Sequence, residues 1–110
     1  MRVILTAHAR MRMRERGAAA NKKIARRCAE AALRKGIRHR ETDGDLRSYV
    51  SMLYLKHWKG DNIRIWQGYV YIFRGKTLIT VFALPEMFRA EAEKIQKRKK
   101  GTYEIADAGR

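Results

Sequence analysis

A chain of 110 residues is long enough for one domain with its own core, and its single cysteine, Cys28, excludes an intrachain disulfide and a cysteine cluster for zinc. Lysine and arginine total 26 against 11 acids, a formal net charge of +15, which attracts polyanions, nucleic acid first and an anionic membrane surface second. The first apolar run ends after Leu5, too short for a signal sequence, and no stretch approaches the ~20 apolar residues of a membrane span, so a cytoplasmic protein that does not enter the membrane is expected.

Residues 3–5 can form a short strand at the N-terminus. Thr6 can N-cap a helix over residues 7–16, built from alanine, methionine and arginine and stopped by Gly17. Asn21 caps a second helix over 22–35, in which Ile24, Cys28, Ala31 and Ala32 fall on one face, while Lys22, Lys23, Arg26, Arg27 and Arg34 fall on the other. Gly36 reads as the residue after its C-terminus, followed by apolar Ile37. After the loop "RETDGD", Asp45 can cap a third helix carrying Leu46, Tyr49, Val50, Leu53 and Tyr54 at i, i+3, i+4, i+7, i+8, which ends near "HWKGDN".

Three β-rich runs follow, at 63–67, 69–74 and 77–84, joined by turns at Gln67-Gly68 and Gly75-Lys76. Alternation puts Ile63, Ile65, Val70, Ile72, Ile79 and Val81 on one face, and Arg64, Trp66, Tyr69, Tyr71, Phe73 and Thr80 on the other. Pro85 stops the last strand; "EMFRAEAEKIQKRKK" reads as a short, weakly amphipathic helix, and residues 101–110 as a flexible tail. The expected architecture is a single α+β domain over residues 1–100, with N-terminal helices on one face of a small antiparallel sheet: a three-stranded meander to which the N-terminal run can add a fourth strand.

The charge is concentrated early: residues 1–40 carry 13 basic and 2 acidic side chains, and 41–60 carry three of each. In "TAHARMRMRERG" four arginines alternate, but helical winding separates them and leaves His8, Arg12 and Arg16 in one stripe at i, i+4, i+8. Arginine clamps phosphate through paired planar donors, and histidine exchanges a proton near neutral pH. Metal-free RNA cleavage needs that combination. A histidine near a helix N-terminus also has plain structural uses, and arginines at this spacing can simply pair with Glu15, Glu41 or Asp43.

The stretch His8-Ala9, Arg12-Met13 and Glu15-Arg16-Gly17 resembles the His-Ala-x-x-Arg-Met-x-Glu-Arg-Gly opening of a family of small bacterial and phage proteins grouped with RelE-like toxins, within the superfamily of barnase, EndoU, colicin and RelE nucleases. The resemblance implies a RelE-like fold and a metal-independent endoribonuclease with His8, Arg12 and Arg16 as catalytic residues. An acidic antitoxin would be the partner that suits such a toxin's charge.

A second expectation needs no catalysis. Arg64, Trp66, Tyr69 and Tyr71 on one sheet face, with Arg26, Arg27, Lys97 and Arg98, combine stacking rings and cations as single-stranded nucleic-acid sites do. The same rings can equally pack beneath a helix. Three scattered histidines do not suggest a metal site, Cys28 reads as core, and neither a Walker motif nor a dinucleotide-binding glycine loop is present, so no cofactor is expected.

Overall fold

The computed structural model describes residues 2–15 and 21–108, with side chains described to residue 99. In chain order the elements are β1 (Ile4–Leu5), α1 (Ala7–Glu15), α2 (Lys22–Lys35), a 3-10 turn (His39–Glu41), α3 (Gly44–Lys56), β2 (Asn62–Trp66), β3 (Tyr69–Arg74), β4 (Thr77–Ala83), a second 3-10 turn (Glu86–Phe88) and α4 (Arg89–Ala108). The chain is α+β, as its pattern of early helices and late strands implies.

The four strands form one sheet in the order β1-β4-β3-β2. The meander β2-β3-β4 is antiparallel, but β1 joins β4 in parallel, so the sheet is mixed. Gln67 and Gly68 both take positive φ, 47° and 82°, the two-residue turn whose twist suits a tight hairpin.

The helices cover both faces of the sheet, not one. Ile63, Ile65, Val70 and Ile72 pack with Leu46, Val50 and Leu53 of α3 and with Phe88, Ala92 and Ile95 around α4. Tyr71, Phe73, Leu78 and Val81 pack with Ala9 and Met13 of α1 and with Ala25, Ala29 and Ala32 of α2. Strands β3 and β4 carry apolar side chains on both faces, so a single helical layer would leave one of them uncovered.

Val81 thus lies on the face opposite to Ile63, against the expected parity. A bulge in β4 accounts for it: Ile72 pairs with Thr80 and Phe73 with Leu78, leaving Ile79 without an opposite number. The extra residue inverts the alternation from there on.

On α2 the buried stripe is Ala25, Ala29 and Ala32, and Ile24 is exposed. Alanines let the helix approach a sheet face already filled by the large Tyr71 and Phe73 rings. Asn21 caps α2 as expected, its Oδ1 accepting from the Ile24 N–H at 2.9 Å. Gly36 caps the other end with φ −64° and ψ 160°, so a left-handed backbone is not what it supplies. It supplies space: a Cβ there would overlap the Ala32 carbonyl oxygen and stand 3.0 Å from Arg64 Cβ. That close approach lets Ile37 exchange backbone hydrogen bonds with Ile65, at 2.8 and 3.1 Å, and so cover the β2 edge of the sheet. The third helix begins one residue before the expected cap, with Asp43 at the capping position. Where a tail was expected from residue 101, α4 continues as helix to Ala108.

Candidate nucleic-acid interface

The first candidate site begins at Thr6. Its hydroxyl accepts from the Ala9 N–H at 3.0 Å and points toward the Leu78 and Ile79 carbonyls at 3.1 and 3.3 Å, capping α1 and fastening it to β4. With Ala9 and Met13 buried, α1 turns His8, Arg10 and Arg14 to solvent. Arg12 follows His8 by one helical turn and is half exposed; its Nη1 stands 3.6 Å from Glu15 Oε2, a solvated pair that restrains it little. Arg16 lies outside the described residues.

The neighbouring helix α2 covers the same sheet face and presents Lys22, Lys23, Arg27, Arg34 and Lys35 to solvent. Arg26 is half buried, its Nε shielded and without a hydrogen-bond partner. The two helices contribute only two acids. Glu15 is beside Arg12, and Glu30 accepts from the Val3 N–H at 3.2 Å. This face of the molecule is therefore a basic helical layer.

The aromatic sheet face lies beneath that layer. Tyr71 is 2% exposed and Phe73 fully buried, and Trp66 and Tyr69 pack against the same cluster half buried. Tyr71 cannot stack on a base in this fold, and burial pushes its phenol well above the ordinary tyrosine range. Arg64 is also structural. It is buried, with Nε donating to the Leu33 carbonyl at 3.4 Å and Nη1 to the Ile63 carbonyl at 3.2 Å, so it serves an orphan carbonyl near the end of α2. Burial, and then the nearby Arg38 charge, lower its pKa.

Two of the expected binding residues do converge elsewhere. A groove of about 1050 Å³ runs between the last turn of α2, the β2–β3 turn and the first half of α4. Trp66 and Lys97 line it, joined by Arg34, Lys35, Arg89 and Gln67. Ile37, Ile65 and Leu84 form its floor, and Glu93 is the only acid among the described residues that line it. Arg98 is exposed on α4 but lies outside this lining. Lys35 and Arg89 were not singled out by the sequence: among so many cations, nothing local distinguishes the few that a helix crossing brings together.

The groove wall is fastened. Gln96 Nε2 donates to the Lys35 carbonyl at 3.1 Å, and Lys99 Nζ donates to the Gly36 carbonyl and to Glu41 Oε1, each at 2.7 Å. Burial pushes the Glu41 carboxyl up, but the Lys99 and Arg38 N–H hydrogen bonds and the two positive charges outweigh it, holding the carboxyl below its ordinary value. Lys99, part of the basic run after Lys94, is thus an internal strut.

The other histidines have structural roles. His39 is half buried, not exposed as its basic surroundings suggest; it shares a 2.8 Å hydrogen bond with Ser51 and meets the Tyr54 ring edge-on. His57 caps α3 and stacks on Phe82 at 5.9 Å. Among the described residues, no group of three His, Cys, Asp or Glu side chains is arranged to hold a metal ion, and no helix is long and apolar enough to cross a membrane. No family model, curated protein or solved structure matches this chain.

Proposed function

We propose that the protein binds nucleic acid, RNA foremost, through the basic layer of α1 and α2. The observation that carries this reading is the distribution of charge within the layer: Arg10, Arg14, Lys22, Lys23, Arg27, Arg34 and Lys35 all face solvent, with Glu15 and Glu30 the only acids on the two helices. Such a surface raises the local concentration of a polyanion and gains from counterion release when phosphates replace bound ions. The test is binding of labelled RNA by the wild type and by a Lys22→Gln, Lys23→Gln, Arg27→Gln variant. The reading requires weaker binding and a shallower salt dependence in the variant. Unchanged affinity would remove the layer from the interface.

A second reading, RelE-like endoribonuclease activity, is favoured by the exposure of His8 one turn from Arg12 within that layer. In it, a base takes the 2′-OH proton, the freed oxygen attacks the adjacent phosphorus, and the 5′ oxygen leaves with a proton from an acid. His8 would serve as one of these groups, with Arg12 and Arg16 balancing the charge gathering on phosphorus. RNA cleavage in excess chelator, lost in His8→Ala at unchanged melting temperature, would support it. Binding without cleavage would leave a binding protein. Either activity belongs in the cytoplasm, and an acidic antitoxin would be suited to neutralising the same layer.

A further inference from the structure

We propose that the groove between α2, the β2–β3 turn and α4 holds an unpaired stretch of RNA, with one base against the Trp66 indole and the flanking phosphates on Arg34, Arg89 and Lys97. The inference rests on the nucleic-acid reading and names the form of ligand and the place where it is held.

Three observations carry it. The first is the convergence of cations from opposite walls: Arg34 from α2, and Arg89 and Lys97 from α4. The ion pairs described in the molecule, Arg12–Glu15 and Lys99–Glu41, involve none of them. Like charges held around one groove repel each other, and a bound polyanion reverses that cost.

The second is the lining between those walls. Ile37 and Ile65 are 2% exposed and Leu84 1%. The floor is therefore recessed and offers little surface to the apolar side of an acidic helix. The larger surface within reach is Trp66, half buried at the end of β2, where it packs against the Tyr71 and Phe73 cluster and precedes the tight Gln67-Gly68 turn. A flat ring with a flexible anionic backbone fits that combination, since base–indole stacking tolerates any base. A duplex keeps its bases stacked inside a rigid cylinder and cannot lower one into the groove.

The third is preorganisation. The Gln96–Lys35 and Lys99–Gly36 hydrogen bonds tie α4 to the end of α2, so the walls are set before a ligand arrives. Less ordering then opposes binding.

The experiment compares one short single-stranded RNA with its duplex by fluorescence anisotropy. Trp66→Leu keeps bulk and removes the ring, and Trp66→Phe keeps a ring. An Arg34→Gln, Arg89→Gln, Lys97→Gln variant is matched in charge by Lys56→Gln, Lys59→Gln, Lys76→Gln outside the groove. Loss of one stacked base predicts single-strand binding weaker by roughly five- to a hundred-fold in Trp66→Leu, with duplex binding unchanged and Trp66→Phe close to wild type. The groove triple should lower the single-strand salt slope by about 2, more than the matched control does. In a Trp58→Phe background, single-stranded RNA should quench the Trp66 emission.

Wild-type binding that the groove variants leave intact overturns the groove proposal and leaves nucleic-acid binding standing. No binding by the wild type, single- or double-stranded, overturns both. Quenching of Trp66 by an acidic amphipathic peptide and not by RNA would make the groove a protein-docking site, and would also overturn the proposal.

Discussion

Gly36→Ala isolates the close approach on which the groove wall depends. With φ −64° and ψ 160°, alanine suffers no backbone strain at this position. On dihedral grounds alone it should stabilise the fold, by about 0.4–1 kcal/mol, because it stiffens the unfolded chain. The opposing effect is steric. The new Cβ would overlap the Ala32 carbonyl oxygen and stand 3.0 Å from Arg64 Cβ and 3.1 Å from the Ile65 carbonyl oxygen. Overpacking of this kind costs about 1–3 kcal/mol. Relief requires residue 36 to move away from both the last turn of α2 and β2, which strains its 2.8 Å bond to the Ala32 carbonyl, the Ile37–Ile65 bonds and the 2.7 Å Lys99–Gly36 bond, each contributing about 1 kcal/mol. The net expectation is a loss of about 2 kcal/mol, or roughly 10 °C in melting temperature for a domain of this size. Thermal unfolding followed by circular dichroism measures it. A variant that melts at or above the wild-type temperature would show that the contact is not tight, and the account of why glycine stands at this position would fail. Gly68→Ala gives the contrast, because it has open space around its Cβ but φ +82°, so strain alone, roughly 1–2 kcal/mol, is expected.

Other outcomes follow from single contacts. Thr6→Ala should lose about 1 kcal/mol in denaturant unfolding, and Thr6→Ser should recover most of it, because the hydroxyl caps α1 and holds it to β4. The Tyr71 phenol is raised by burial, so its contribution is complete below the unfolded tyrosine value of about 10 and is lost as pH climbs above that toward the folded value. Melting curves should therefore fall less steeply above pH ~10 in Tyr71→Phe than in the wild type. The Glu41 carboxyl is lowered, so its contribution is present above the unfolded glutamate value of about 4.3 and is lost as pH falls through the folded value. Glu41→Gln should cost about 1 kcal/mol at neutral pH and flatten the acid side of the stability profile; equal slopes in both proteins would remove the Lys99–Glu41 strut from the account.

Local signals in the sequence were strong wherever a few neighbouring residues decide the outcome. The caps Thr6 and Asn21, the Gln67-Gly68 turn and the inward isoleucines of β2 and β3 are of this kind. What lay beyond reach was set by distant partners. The Trp66-Tyr69-Tyr71-Phe73 face looks the same whether it meets bases or helices, and the Ala25-Ala29-Ala32 stripe that covers it differs from the α2 face the spacing suggested. Arg64 reads as a solvated cation until α2 ends beside it and supplies a carbonyl. The β4 bulge at Ile79 reverses the exposure of Val81 with no glycine to announce it. Of the candidate site, His8 and Arg12 do share one exposed helix, and Trp66 and Lys97 do meet in one groove. Arg89 joins them only because α4 crosses near the end of α2.

The most direct test of nucleic-acid binding is the affinity of the wild-type protein for short single-stranded RNA across a range of salt concentrations. Binding should be tight at low salt, with log affinity falling by about 0.7 per neutralised phosphate for each tenfold rise in salt, a slope near −3 for four contacts. Absent binding at the lowest salt, or an affinity that does not change with salt, would contradict the nucleic-acid reading.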